Sequence, residues 1–132
     1  KALIVFEGEK EQRLATELHS VFGNNITDYE YILVTSFSEK KENRIIKKNQ
    51  VAQKTNYTLE IDYALFYENK SCKIFNKKII TKFSLLSKSS GYNFGTDRSF
   101  EELYTGSIKQ NIQKFIDMVP PNTTCLKNEN QT

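Results

Sequence analysis

Eleven residues, Tyr57–Tyr67 (YTLEIDYALFY), constrain this chain more than any other stretch. Tyr57, Leu59, Ile61, Tyr63, Leu65 and Tyr67 occupy every second position, and Asn56, Thr58, Glu60 and Asp62 take the positions between or beside them. Side chains alternate across a strand, so this run buries one face and wets the other, as a sheet covered on one side requires. The rest of the fold must supply the cover and the neighbouring strands.

The neighbours can be read in order. Ala2–Phe6 (ALIVF) is a short apolar run that fits a buried strand. Glu9–Phe22 changes period: Leu14, Leu18, Val21 and Phe22 form one helical stripe, with Glu9 and Glu11 expected in the first turn and Gly23-Asn24-Asn25 as its stop. Tyr29–Phe37 alternates again and predicts a strand. Ser38–Lys54 is polar and basic and reads as a connection. Glu68-Asn69-Lys70-Ser71 predicts a hairpin turn into a returning strand within Ile74–Leu86. Ser87–Thr96 reads as a loop. Ser99-Phe100-Glu101-Glu102 has the pattern of a capping box and predicts a helix start. Phe100, Tyr104, Ile108, Ile112, Phe115 and Val119 then trace a long helical stripe, with Ser107 and Asn111 on the same side, and Pro120-Pro121 ends it.

The expected fold class is therefore α+β: two helices packed on one face of a four-stranded, largely antiparallel sheet, in the order β-α-β-β-β-α. The length of 132 residues supports one core. The expected division is a single domain over 1–121 and a polar tail over 122–132.

The residue types that carry covalent chemistry are sparse. His19 is the one histidine, which with two cysteines falls short of the roughly four ligands of a structural zinc site. Around it there is no Gly-x-Ser-x-Gly elbow for a nucleophile. Gly91 and Gly95 lack the strand, spacing and lysine of a phosphate-binding loop. Glu60 and Asp62 share a strand face about 7 Å apart, which suits a carboxylate pair but suits a solvated strand face better. No catalytic residue, metal or cofactor is assigned, and a binding role is expected. Cys72 and Cys125 can pair in an oxidising compartment, where a bond between hairpin and tail would pin the tail; in a reducing cytosol they would stay free thiols.

Charge is the one electrostatic signal. Net charge is +3, but the cations cluster. Lys40, Lys41, Arg44, Lys47 and Lys48 fall in the Ser38–Lys54 connection, and Lys70, Lys73, Lys77, Lys78, Lys82 and Lys88 follow in the next hairpin arm. The first five are the candidate ligand-binding residues, for a polyanion held by charge-assisted hydrogen bonds that salt would weaken. Tyr92 and Phe94 in the following loop could meet acyl chains or stack on bases. No Lys/Arg-Gly-Phe-x-Phe pattern supports a nucleic-acid surface.

Thr55-Asn56-Tyr57-Thr58-Leu59-Glu60-Ile61-Asp62-Tyr63-Ala64-Leu65 resembles the Tyr-x-Leu strand of the lipopolysaccharide-assembly lipoprotein family (LptE). The basic stretch before it, the Ser-rich run Ser84–Asn93 after it, the closing helix from Phe100 through Ile116 and the Gln-x-Leu helix from Gln12 to Leu18 are similar in order and length, over roughly 2–119. The closing helix departs from the family's Ala- and Arg-rich habit, and no residue-level ligand motif transfers. The resemblance implies a non-enzymatic outer-membrane component that partners and plugs the β-barrel lipopolysaccharide translocon and binds lipopolysaccharide directly. It implies residence at the periplasmic face of the outer membrane. Membrane association would come through a lipid anchor upstream of this chain, and no nucleic acid would be bound. The rival readings are another exported envelope accessory lipoprotein, a cytosolic basic nucleic-acid-binding domain, and a small enzyme on a similar scaffold.

Overall fold

The computed structural model of the protein describes residues 2–23, 27–47, 50–88, 96–121 and 124–126, with the backbone alone for 44–47, 50–53, 87–88 and 96–98. Its elements are β1 (Ala2–Phe6), α1 (Gln12–Phe22), β2 (Tyr31–Lys47), β3 (Gln50–Tyr67), β4 (Lys73–Lys88) and α2 (Thr96–Met118). The class and order expected from the sequence hold. The four strands form one sheet in the order β1-β2-β3-β4. β1 and β2 run parallel, because the α1 crossover returns the chain in the same direction, and the β2–β3 and β3–β4 pairs are antiparallel.

The alternation of β3 is realised in full. Leu59, Ile61 and Tyr63 are completely buried beneath the helices, while Glu60, Asp62 and Ala64 lie on the other side of the sheet and remain partly exposed. Leu14 and Leu18 of α1 and Tyr104, Ile108, Ile112 and Phe115 of α2 join them in one core. Phe115 stacks on Tyr63 with ring centroids 4.3 Å apart and meets the edge of Phe22 at 6.5 Å.

Two polar residues of the α2 stripe are buried with their partners. Asn111 accepts from the Tyr63 hydroxyl at 2.7 Å and donates to the Ile79 carbonyl at 2.9 Å. Ser107 donates to Thr81 Oγ1 at 2.9 Å. Burial pushes the Tyr63 hydroxyl well above its ordinary pKa, which keeps it a neutral donor. Because each of these bonds joins helix to sheet, the cluster fixes the axial position of α2 as well as its burial. Thr35 is the exception: its hydroxyl is buried and finds no partner among the described residues. Thr35→Val should therefore stabilise the protein by about 1 kcal/mol in urea denaturation, since it removes a desolvated hydroxyl that makes no hydrogen bond.

Several boundaries differ from the sequence reading. Glu11 is the N-cap of α1, its side chain accepting from the Arg13 amide at 2.8 Å, so neither Glu9 nor Glu11 stands in the first turn. Gly23 closes the helix at φ 101°, where a glycine is favoured, and its N–H bonds the His19 carbonyl. α2 begins at Thr96, so Ser99 lies within its first turn and does not cap it. The largest correction concerns Ser38–Lys54. This stretch is no loop: β2 runs on to Lys47 and β3 begins at Gln50, making a long ribbon with paired residues from Ser38↔Glu60 to Lys47↔Gln50, and β4 accompanies β3 along it as far as Ala52↔Lys88. Its polar residues pair through the backbone, which does not need an apolar side chain.

Cys72, just before β4, and Cys125, beyond α2, are joined in a disulfide with Cα atoms 5.0 Å apart. Beside it the Leu126 amide donates to the Lys73 carbonyl at 2.6 Å, tying this part of the tail to the start of β4.

Candidate functional site

Both helices lie on one side of the sheet, and no described element covers the other. Register shows what this open face carries. Across β1, β2 and β3, Leu3 lies beside Ile32 and Phe66, and Val5 lies beside Val34 and Ala64. These six apolar residues form one half of the face. Ile32 is only 6% exposed even without a covering helix, so its neighbours on the sheet shield it.

Moving toward the ribbon, the face becomes polar and then basic. Ser36 lies opposite Asp62, which lies opposite Lys78. Lys40 lies opposite Thr58, which lies opposite Lys82. Lys54 follows nearer the tip. Lys40 reaches Glu60 Oε1 at 3.4 Å while staying 71% exposed itself, and Lys73 sits 5.8 Å over the Phe66 ring. The open face is thus an apolar half continuous with a bank of lysines. Glu60 and Asp62, which their spacing offered as a carboxylate pair, belong to it as partners of Lys40 and Ser36.

The candidate ligand-binding residues do not form a single patch. Lys40 is on the open face, whereas Lys41 is on the helical side with its ammonium 5.8 Å from the centre of the Tyr57 ring. Arg44 and Lys47 belong to the backbone of β2, with side chains outside the described atoms, and Lys48 lies outside the described residues, as do Tyr92 and Phe94. Once the segment is a strand, alternation separates neighbours in sequence. The same alternation gathers Lys40, Lys78 and Lys82, a grouping the sequence contains only if the β2–β3–β4 register is known.

A second feature lies between the layers. A cleft of about 330 Å³ opens among Ala2, Tyr31, Leu65, Ile74, Phe115 and Val119. Its walls are almost wholly apolar, and its rim includes Pro120, close to the disulfide-tied tail. At the opposite end of the helical layer, Arg13 joins α1 to α2. It donates to both carboxylate oxygens of Glu101, at 2.9 and 2.6 Å, and stacks 4.2 Å over the Tyr104 ring. The Tyr104 hydroxyl donates to Glu39. Hydrogen bonding from Arg13 holds the exposed Glu101 carboxyl below its ordinary range. These contacts tie α1, α2 and β2 to one another. Among the described residues, no group of His, Cys, Asp and Glu is gathered to hold a metal, and no helix is long and apolar enough to cross a membrane.

The fold thus defines a class: a β-α-β-β-β-α domain with two helices on one face of a four-stranded mixed sheet. Several solved bacterial lipoproteins have this same architecture. A minor lipoprotein of Acinetobacter baumannii superposes with a TM-score of 0.58 at 12% identity, covering 96% of each chain. Rare lipoprotein B of Shewanella oneidensis gives 0.53 at 16% identity, over 88% of this chain and 93% of its own. A candidate lipoprotein of Caulobacter crescentus gives 0.59 at 9% identity, over 85% and 83%. At these identities the likeness is one of fold. No protein-family model matches the sequence, and no curated protein matches it significantly.

Proposed function

We propose that the protein is a non-enzymatic component of lipopolysaccharide assembly at the periplasmic face of the outer membrane. In this role it partners and plugs the β-barrel translocon and binds lipopolysaccharide directly. The observation that carries the reading is the open sheet face, which holds Leu3, Val5, Ile32 and Phe66 at one end and Lys78, Lys82 and Lys40 toward the other. Lipopolysaccharide joins acyl chains to phosphates, and this face carries an apolar half and ammonium groups along the same strands. The fold shared with solved bacterial lipoproteins supports an envelope setting, and it supports an accessory lipoprotein of another envelope assembly equally. Lipopolysaccharide binding through the lysines is what would separate the two readings.

The triple variant Lys40→Glu/Lys78→Glu/Lys82→Glu should bind purified lipopolysaccharide at least about tenfold more weakly than the parent in a solid-phase assay at moderate salt. All three side chains are exposed, so the fold should survive the change. Unchanged affinity in a folded triple variant would remove lipopolysaccharide from the role of this face.

A further inference from the structure

β1 is five residues long and stops at Phe6, where it lies beside Thr35, while β2 continues to Lys47. The last bond between them is made by the Glu7 amide to the Thr35 carbonyl at 2.9 Å. That bond fixes the parity of β2. The backbone groups of Thr35 face away from β3, so those of Phe37, Glu39, Lys41 and Asn43 face the same way. No described strand lies beside them, and Ser38 through Asn43 are all exposed. The sheet therefore has an open edge that begins where β1 leaves off and continues in line with it.

The geometry points to this edge as a docking site for an extended acidic polypeptide strand supplied by a partner. Open strand edges are commonly blunted by proline, shortness, bulges or lysine. This one is long and free of proline, but it carries lysines and a register shift between Ile45 and Lys47, so the strand that pairs with it must offset that positive charge. Its side chains set the partner's chemistry. From Ser36 to Lys47 the arm carries four cations, Lys40, Lys41, Arg44 and Lys47, against the carboxylates Glu39 and Glu42. An added strand places its side chains alternately above and below the sheet, alongside Lys41 on the helical side and Lys40 on the open side. Backbone pairing supplies affinity, and acidic side chains on the added strand supply complementarity.

A second copy of this chain is a poor occupant. A two-fold axis at Lys40 or Lys41 would set that lysine against itself. It would also bring Ile45 or Lys47 of the copy beside Thr35, a position Glu7 already holds. The basic segment thus recognises a strand through its outward backbone edge, a role that shares only Lys40 with lipid binding on the open face.

Proline tests this directly. Lys41→Pro removes an outward amide and leaves the bonds between β2 and β3 in place, whereas proline at Lys40 would break one of them. The probe is a short blocked peptide alternating Val and Glu, with a heparin-derived oligosaccharide as the polyanion of no strand character. The peptide should shift and protect the amides of Phe37, Glu39, Lys41 and Asn43 in nuclear magnetic resonance spectra. Lys41→Pro should weaken it at least about tenfold, and Lys41→Ala by only a few-fold. Asn43→Pro provides the same block should Lys41→Pro unfold. Equal peptide binding by a folded proline variant, shifts that map to the open face, or oligosaccharide binding that matches the peptide and ignores proline would each overturn the proposal.

Discussion

Removing the disulfide, as in Cys72→Ser/Cys125→Ser, is expected to lower stability by about 4 kcal/mol. The bond closes a span of 53 residues that includes β4 and α2, and the loss is the chain entropy the unfolded state regains when that loop opens. Urea denaturation with and without reductant measures it. The parent should gain the same midpoint shift on reduction as the double variant shows without reductant. The variant should be indifferent to reductant. Local effects should centre on the tail, where the Leu126–Lys73 bond and the rim of the cleft near Pro120 depend on the tether.

Phe115→Ala should cost a similar amount, about 4 kcal/mol. Phe115 is 1% exposed and is the ring on which α1, β3, β4 and α2 converge: it touches Phe22, Tyr63 and Phe75. Truncation forfeits the buried area and leaves a void that joins the existing cleft, so the surroundings can collapse only in part. Phe115→Leu retains most of the volume and should cost about 1.5 kcal/mol. Chemical denaturation of the two variants side by side separates lost volume from lost ring stacking on Tyr63.

The parts of the fold readable from sequence are those where one side is dry. β3 alternates because Leu59, Ile61 and Tyr63 sit under helices while Glu60 and Asp62 do not, and the α2 stripe repeats for the same reason. β2 beyond Phe37 was unreadable as strand because it is wet on both sides there: Ser38 to Asn43 are all exposed, so burial imposes no period. Its pairing comes from the backbone, which leaves no mark on side-chain choice. Ser107 and Asn111 stood in the stripe by position, yet nothing local names Thr81, Tyr63 or Ile79 as their partners, because the contacts span 26 to 48 residues.

The candidate site shows the same division. Clustered lysines were visible in the sequence as a basic region. Their sorting onto faces was not, because Lys40 and Lys41 are adjacent in sequence and opposite in space, while Lys40 and Lys82 are far apart in sequence and separated only by Thr58 on the sheet. The apolar half was hidden for a related reason. Ile32 and Val34 occupy the second face of the alternating Tyr29–Phe37 run, and only their register with Leu3, Val5, Ala64 and Phe66 makes them a patch.

The central claim is partnership with the lipopolysaccharide translocon, and co-expression tests it most directly. The full-length protein is produced with the lipopolysaccharide-transport barrel of its own organism, extracted in detergent and purified through a tag on either partner. A stable one-to-one complex that survives both purifications is the predicted result. A protein that is expressed and exported yet never co-purifies with the barrel would contradict the account.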